Sequence, residues 1–485
     1  MPDRAIQLAN ISPADSRVQP RGGTDGSRTM RTAQLVANDA SYYYFARSGR
    51  VTDWPMWWVF DNADGSPPSA ADFARYIGER AHLLEPLRRR IHEVPGGLGH
   101  PFWGVDDSPI ENHLETHVAG LDWAGCLDRI GRILEQPLDA RDSAWRLHLF
   151  PGVTGIPGLD GAGTVVLMHV SHALMAGPAM TSLSEALFAA APTPVRIEGI
   201  GPAARRLRVR LGAAAVSGVL KWPFQVLRFN IGVWIENRRI VREGDDGGPT
   251  TSPRSRTVLN QRIGRRRAVR TISMELPAVR VPGVTVTAAG LAAISRAMQR
   301  HLEKQDAGCP DDLAAYVTIA VPDAPVMGVN HVGADVVDLF PEEVDLAGRA
   351  RAVDATLRVR RRSASSRREL TRLALVDRLP SRIYRAVYGT LPSAEGGVPV
   401  PAHTILTSIR CEPDAEWSLL GAPFRFAGML PPVFPDIASA HSFVGVGDSF
   451  TVSVACDPEI FPDLDGYCDL LAESLREIAD LGVPE

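Results

Sequence analysis

Residues 164–177 read TVVLMHVSHALMAG and contain the end of a buried strand and the turn that follows it. The fold is organised around this junction. The apolar run 164–170 is typical of a buried strand, and helical spacing resumes over 181–190. Because side chains alternate along a strand, His169 and His172 face opposite sides unless the strand ends between them, at Ser171. His172 is then the histidine that projects from the loop. An unperturbed imidazole titrates near ~6.5, so His172 is a candidate general base, with a purely structural histidine as the alternative.

Outward from this junction, apolar periodicity divides the chain into two blocks of similar size. Helical spacing predicts helices over 71–92, 122–136, 288–304, 342–362 and 467–481. Strand patterns cover 110–118, 270–275, 313–321 and 332–340. We assign 1–30 to a disordered leader, 31–192 to an N-terminal subdomain, 193–262 to a basic crossover linker and 263–485 to a C-terminal subdomain.

Composition excludes several classes of chemistry. The 485 residues carry a formal charge of −4, and only Lys221 and Lys304 among the 52 basic residues are lysines. Neither lies in a GxxxxGK[ST] setting, which excludes a phosphate-binding P-loop. The five cysteines are scattered without a CxxC pair, and no nucleic-acid-binding motif occurs. No secretory signal is visible, and the longest nearly apolar stretch, 211–220, is about half the ~20 residues of a membrane span, so a cytoplasmic protein is expected.

His113 and His117 in HLETH are four residues apart, a spacing that occurs in metal sites. The order is HxExH rather than the HExxH of zinc proteases, and the run is predicted as a strand rather than a helix. We therefore predict no metal site.

The crossover is strongly basic. Between Arg205 and Arg242 lie nine basic residues and one acidic residue, a local charge of +8, with Trp222, Phe224 and Trp234 interleaved. Aromatic and basic residues together are typical of a helix at a membrane surface. The segment 205–242 is thus a candidate for peripheral membrane or partner contact, and an arm packed on its own protein is the alternative.

Several short segments occur in an order found in one acyltransferase family. In the first part of the chain, residues 38–43 (NDASYY) resemble a D-A-x-F opening and residues 95–103 resemble a VPGGLG-x-P-x-W segment. Residues 137–145 resemble a PLD…LW stretch, and 171–177 (SHALMAG) resemble an HHxxxDG motif. Further on, residues 328–330 (GVN) resemble a GN element and 457–464 resemble a D-x-x-x-x-P-D-L ending. Together they resemble the wax ester synthase/diacylglycerol acyltransferase family, within the chloramphenicol-acetyltransferase-like superfamily that includes condensation domains. The resemblance covers roughly 32–482 and implies an α/β fold of two sandwich subdomains with a central tunnel at their interface.

The likeness implies roles for individual residues. His172 matches the family's second histidine, the general base, and Gly177 matches the motif glycine. Ser171, Gly177, Ser408 and Asn330 are the implied substrate-binding residues, and the two serines are candidate oxyanion donors.

The motif is also altered at polar positions. Ser171 replaces the family's first histidine and Ala176 its aspartate, while 287–288 (TA) replace Asn-Asp and 408–409 (SI) replace Ser-Asn. The base is retained, but its usual surroundings are not.

The function implied is transfer of an acyl group from acyl-CoA or a carrier-protein thioester to an alcohol or amine, without a further cofactor. The altered motif favours specialised metabolite or lipid biosynthesis. The alternative is a catalytically impaired member that serves as a binding or scaffold module.

Overall fold

The structure is a computed structural model that describes residues 33–481, except 63–64, 178, 205, 244–253, 322–327, 331, 365, 390–399 and 414. The leader assigned to 1–30 lies outside the described residues. The described helices are α1 (Ala37–Arg47), α2 (Ala70–Arg80), α3 (Trp123–Leu134), α4 (Ala179–Phe188), α5 (Leu207–Glu243), α6 (Val286–Lys304), α7 (Leu346–Ala364), α8 (Arg367–Val376), α9 (Ser381–Gly389) and α10 (Leu464–Leu481). The described strands are β1 (Trp54–Asp61), β2 (Arg89–His92), β3 (Phe102–Val105), β4 (Leu114–Thr116), β5 (Trp145–Val153), β6 (Gly163–Val170), β7 (Ala268–Glu275), β8 (Ala314–Ala320), β9 (Val332–Asp338), β10 (Thr404–Cys411), β11 (Ser418–Leu419), β12 (Ala422–Met429), β13 (Ser439–Val446) and β14 (Ser449–Cys456).

The first large sheet surrounds the strand that precedes His172. Its order is β11-β12-β1-β6-β5-β4, and every residue of β6 is buried between its antiparallel neighbours β1 and β5. The all-apolar run in the sequence therefore reflects a central position with both faces covered.

The C-terminal part of the chain contributes to this first sheet. Strand β12 pairs antiparallel with β1, Met56 opposite Met429, so residues 418–429 belong to the N-terminal sheet. The first sheet is therefore completed by a segment beyond the boundary predicted at 263, and the division into subdomains stays a prediction. β12 gives β1 its second hydrogen-bonded neighbour.

The second large sheet has the order β7-β14-β13-β10-β8-β9. Its core is formed with helices α6, α7 and α10, whose buried residues include Leu291, Leu357 and Leu471. Helix α3 of the first half packs close to β7 of the second, where a side chain on Gly131 would collide with the Arg267 carbonyl. The predicted α/β fold with two sheet-based halves is confirmed.

Most of the predicted elements are confirmed, and two are not. The helix predicted over 71–92 ends at Arg80; the chain then turns through a short 3₁₀ segment, Glu85–Leu87, and continues as β2. Leu84 and Leu87 are buried as predicted, but Pro86 provides no amide hydrogen for a continuing helix. The strand predicted over 110–118 is shortened to β4, since Ile110–His113 forms a 3₁₀ turn.

The basic crossover is mostly one long helix. Within the described part of 193–262, α5 runs for 37 residues and contains Pro223. Leu207 and Leu211 pack against the protein, but large apolar side chains further along are exposed, including Leu220, Phe224 and Leu227. Among the described residues, no helix combines the length and apolarity needed to cross a bilayer.

Candidate active site

His172 occupies a tight turn directly after β6. The Ser171 amide donates to the Ala144 carbonyl at 2.8 Å, and the Leu174 amide donates to the Ser171 carbonyl at 2.9 Å, which ends the strand and starts the turn. The His172 ring stacks on the Tyr42 ring, with centroids 4.2 Å apart and planes 9° apart. Only 9% of His172 is exposed, so the imidazole is held by packing but is not completely enclosed.

A polar network from both halves of the chain holds the His172 backbone. The Asn330 side-chain amide donates to the His172 carbonyl at 2.9 Å and to Asp39 Oδ1 at 2.8 Å. The Asp39 carboxylate also accepts from the Val329 amide at 2.9 Å. A Cβ on Gly328 would lie 2.5 Å from Asp39 Oδ2, which explains why glycine precedes Val329. Helix α1, the His172 turn and the 328–330 loop are therefore joined at one point.

Burial keeps His172 neutral. Loss of hydration lowers the pKa of His172 to about 4, against smaller opposing effects of its own carbonyl, Asn330 and Asp53. Nδ1 is enclosed and makes no hydrogen bond of ordinary geometry, so those opposing interactions are weak. At neutral pH the ring is an uncharged imidazole that can accept a proton.

The implied substrate-binding residues are placed in different environments. Asn330 commits its amide nitrogen to Asp39 and His172, which makes it a positioning residue in the structure. Gly177 faces the side chain of Ile409 so closely that a Cβ would lie 2.5 Å from Ile409 Cδ1. The HHxxxDG-like turn therefore packs directly against β10.

The two candidate oxyanion donors differ in access. Ser408 on β10 is exposed, and its hydroxyl lies 3.4 Å from that of Thr287 at the start of α6. Ser171 is only 3% exposed. Within the described ranges, neither serine hydrogen-bonds to the His172 ring.

The structure assigns a role to a residue that sequence reasoning missed. Asp39 was part of the likeness over 38–43, but nothing in its neighbourhood indicates that it holds the His172 turn through Asn330. Asp39 and Asn330 are 291 positions apart, so local sequence patterns cannot connect them.

His169 lies within β6, whereas His172 follows the end of the strand at Val170, so the two histidines have separate surroundings. His169 Nε2 is 2.8 Å from Asp53 Oδ2, and both residues are buried. Asp53 Oδ2 also accepts from the Leu138 amide at 2.7 Å. This pair connects β6 to the segment that precedes β5 and has a structural role.

The two histidines of HLETH are separated by the fold. His113 stacks on Trp145 and hydrogen-bonds to Ser143 at 3.0 Å. His117 instead lies beside His148, with Glu115 completing a group whose ligand atoms are all within 4.8 Å of one another. Among the described residues, this is the one cluster of at least three such side chains that could hold a metal.

His172 lines neither of two cavities on the described part of the chain. One, of about 520 Å³, is lined by Glu115, Arg129, Arg146 and His169; the other, of about 530 Å³, lies between Asp61 and Leu419. The central tunnel implied by the family likeness stays a prediction.

Comparison with known proteins adds independent findings. A sequence model of the wax ester synthase/diacylglycerol acyltransferase catalytic domain matches residues 35–287, and one of the C-terminal domain of the same proteins matches 329–479. A Mycobacterium tuberculosis protein assigned as a diacylglycerol O-acyltransferase is 25% identical over 333 residues, covering 63% of this chain and 67% of its own. Another from the same organism is 23% identical over 410 residues, covering 81% and 79%.

Solved structures share the fold. The wax ester synthase/diacylglycerol acyltransferase of Marinobacter aquaeolei VT8 superimposes with a TM-score of 0.62 at 16% identity, covering 93% of this chain and 100% of that one. A trichothecene 15-O-acetyltransferase of Fusarium sporotrichioides gives a TM-score of 0.53 at 11% identity, covering 92% and 94%.

Proposed function

This chain belongs to the wax ester synthase/diacylglycerol acyltransferase family, and from that premise we propose that His172 is the general base of acyl transfer from a thioester to an alcohol. The chain is an acyl-CoA-dependent acyltransferase of this type. The observation that carries the assignment of His172 is its neutral imidazole on the turn after β6, held by Tyr42 and Asn330.

In the proposed mechanism, the acceptor hydroxyl loses its proton to His172 as its oxygen attacks the thioester carbonyl. The enclosure of Nδ1 leaves Nε2 as the nitrogen that accepts this proton. The tetrahedral intermediate then expels the thiolate, which takes the proton back from His172, so an ester and a free thiol are formed. No cofactor is needed for this step because the thioester is already activated. Ser408 is the more accessible of the two oxyanion candidates, because it is exposed whereas Ser171 is buried.

The names of the relatives support an alcohol acceptor. Diacylglycerol and wax ester synthesis both acylate hydroxyl groups, and the Fusarium relative is named for O-acetylation. An amine acceptor and a carrier-protein donor are tested as separate arms of the same assay.

The assay supplies purified protein with an acyl-CoA panel or an acylated carrier protein, plus long-chain alcohols, diacylglycerol or amines, and measures released thiol and product. Positioned base catalysis contributes about 10²–10⁴-fold, so His172→Ala should lose that much of kcat. His82→Ala, an exposed histidine, is the matched control. Product formation that is equal in His172→Ala and wild type would disprove the role of His172.

A wild type that binds acyl-CoA without turnover would favour the scaffold alternative, for which the replacements Ser171 and Ala176 are the supporting observation.

Helix α5 supports a second part of the proposal, contact with an anionic lipid surface. Most of its exposed apolar residues fall on one stripe about 160° wide on the helix, whereas Trp222 lies outside it. The stripe consists of Val216, Val219, Leu220, Phe224, Leu227, Ile231, Trp234 and Ile235. Contiguous exposed apolar surface of this kind marks an interaction site in a folded protein.

Charge identifies the surface that fits the stripe. Arg210, Lys221, Arg228 and Arg239 follow one edge of the stripe, at about 120–140° on the same helical wheel. Each basic side chain near an anionic membrane contributes about 1 kcal/mol of attraction, which salt screens. An amphipathic helix with this arrangement lies in the plane of a membrane interface.

Vesicle co-sedimentation tests this contact. Wild type should bind vesicles that contain phosphatidylglycerol, less so at high salt, and only weakly those of phosphatidylcholine alone. The triple variant Leu220→Ser, Phe224→Ser and Leu227→Ser should lose binding, whereas Val118→Ser with Val344→Ser, which alters equally exposed residues elsewhere, should not. Equal binding by the triple variant and wild type would refute the proposal.

A further inference from the structure

The cluster of Glu115, His117 and His148 lies apart from the His172 turn. Glu115 and His148 are register partners in the parallel pairing of β4 with β5, and His117 follows β4 directly. The His117 ring stacks on Phe150, with centroids 4.3 Å apart, in the core cluster on the α3 side of the sheet. The packing around His172 instead involves Trp54, whose core cluster fills the other side.

The three side chains have the spacing of a tetrahedral metal site. His117 Nε2 is 3.2 Å from His148 Nδ1, and Glu115 oxygens lie 3.8 Å from His117 Nε2 and 3.5 Å from His148 Nδ1. A tetrahedral Zn²⁺ with bonds of about 2.0–2.2 Å places its ligand atoms about 3.3–3.6 Å apart. The two imidazole nitrogens are already at about this separation, and all three ligand atoms lie within 4.8 Å of one another. The Glu115 carboxylate, whose Oε1 and Oε2 make the two contacts, must reorient so that one oxygen meets the ion.

We propose that Glu115, His117 and His148 bind a divalent transition metal, with Zn²⁺ as the best fit, and that the fourth position opens to the cavity beside Arg129 and Arg146. Two imidazoles and one carboxylate are ligands typical of zinc sites that keep one position open. The metal would connect β4 and β5. Of its three ligands Glu115 lines the cavity of about 520 Å³, so an exchangeable water would reach the metal from the Glu115 side. This site goes beyond the acyl transfer at His172 and does not depend on it.

Arg129 competes with the metal and sets a condition for binding. Its Nε donates to His117 Nδ1 at 3.4 Å, so His117 carries its proton on Nε2 and donates to His148 Nδ1. When Nε2 of His117 binds a metal, the proton must move to Nδ1, and the exposed Arg129 side chain must turn away. A carboxylate at position 129 would instead accept from Nδ1, the arrangement that supports histidine ligands in many metal sites.

The test uses tag-free, chelator-treated full-length protein and Zn²⁺ itself as the titrant. Calorimetry should show one Zn²⁺ per chain, and Co²⁺ should give the intense visible absorption of a four-coordinate complex. His148→Asn should abolish binding. Glu115→Gln, at a half-exposed position that tolerates the change, should weaken it at least tenfold, and Arg129→Glu should tighten it by about 10–100-fold.

Controls separate this site from other histidines and from catalysis. His113→Asn removes the first histidine of HLETH, and His82→Ala removes an exposed one; both should leave Zn²⁺ binding unchanged. His172→Ala should bind Zn²⁺ like wild type even where acyl transfer is lost. Absence of stoichiometric binding, or binding that Glu115→Gln and His148→Asn leave unchanged, would overturn the proposal.

Discussion

Replacement of Asp39 by asparagine tests whether the two halves of the chain cooperate in holding His172. The carboxylate accepts three N–H groups: the Asn330 side-chain amide at 2.8 Å, the Asn330 backbone amide at 3.2 Å and the Val329 backbone amide at 2.9 Å. Asparagine keeps one oxygen for the two groups from Asn330 but places an NH₂ donor against the Val329 amide. One buried N–H then has no acceptor.

The cost follows from these three contacts. A stranded buried N–H costs about 1–3 kcal/mol, and loss of the negative charge weakens each of the other two hydrogen bonds by about 1 kcal/mol. Removal of a buried charge recovers part of its desolvation cost. We therefore expect Asp39→Asn to destabilise the protein by about 2–3 kcal/mol.

Function should respond more strongly than stability. Asn330 holds the His172 carbonyl, so a displaced Asn330 allows the turn to move, and a base misplaced by about 1 Å can cost about 10²-fold in rate. The expected pattern is a lower kcat with KM little changed, since the contact lies on the base and not on the substrate.

The assay combines thermal unfolding with steady-state kinetics of thiol release. Asp107→Asn, an exposed carboxylate near β3, serves as the matched control and should behave like wild type. A double-mutant cycle of Asp39→Asn with Asn330→Ala should be strongly non-additive because the residues share one network. Additive effects, or a wild-type kcat in Asp39→Asn, would refute the idea that Asp39 positions His172 through Asn330.

Three further predictions concern packing and pH. Gly131→Ala would place a Cβ against the Arg267 carbonyl and should destabilise the protein by about 1–3 kcal/mol, which lowers the melting temperature. Gly78→Ala, with open space around it, should stabilise the protein by up to about 1 kcal/mol and raise the melting temperature; equal shifts would contradict this. Because the folded pKa of His172 is about 4, kcat/KM should retain its neutral-pH value down to about pH 5, and an acid limb near 6.5 would contradict the proposed burial. The free energy of unfolding should be at its full value above about pH 6.5 and should fall as the pH decreases towards 4, because the unfolded chain binds protons that the enclosed neutral rings exclude. Each histidine should contribute a loss of up to about 1.4 kcal/mol per pH unit, which unfolding measured across this pH range would show. The histidines with these lowered pKa values are His100, which is half-buried, and the buried His148, His172 and His441.

The local features of this protein are readable from its sequence. The continuous apolar run predicts β6 and its end before His172, and helical spacing predicts α3, α6 and α10. These patterns arise from residues that are neighbours along the chain, and their periods of 2 and 3.6 follow from backbone geometry. The order of short motifs was likewise sufficient to indicate the family that the comparisons confirm.

The sequence by itself thus determined the most strongly periodic strands and helices, and which histidine stands at the end of a central strand. Only the tertiary structure decided that β12 completes the first sheet, that Asp39 holds the His172 turn through Asn330, and that His148 joins Glu115 and His117. Each of these depends on register between strands or on contacts between segments up to hundreds of residues apart. Local periodicity carries no information about such pairings, because they are selected by how well entire faces pack and by which buried polar groups find partners.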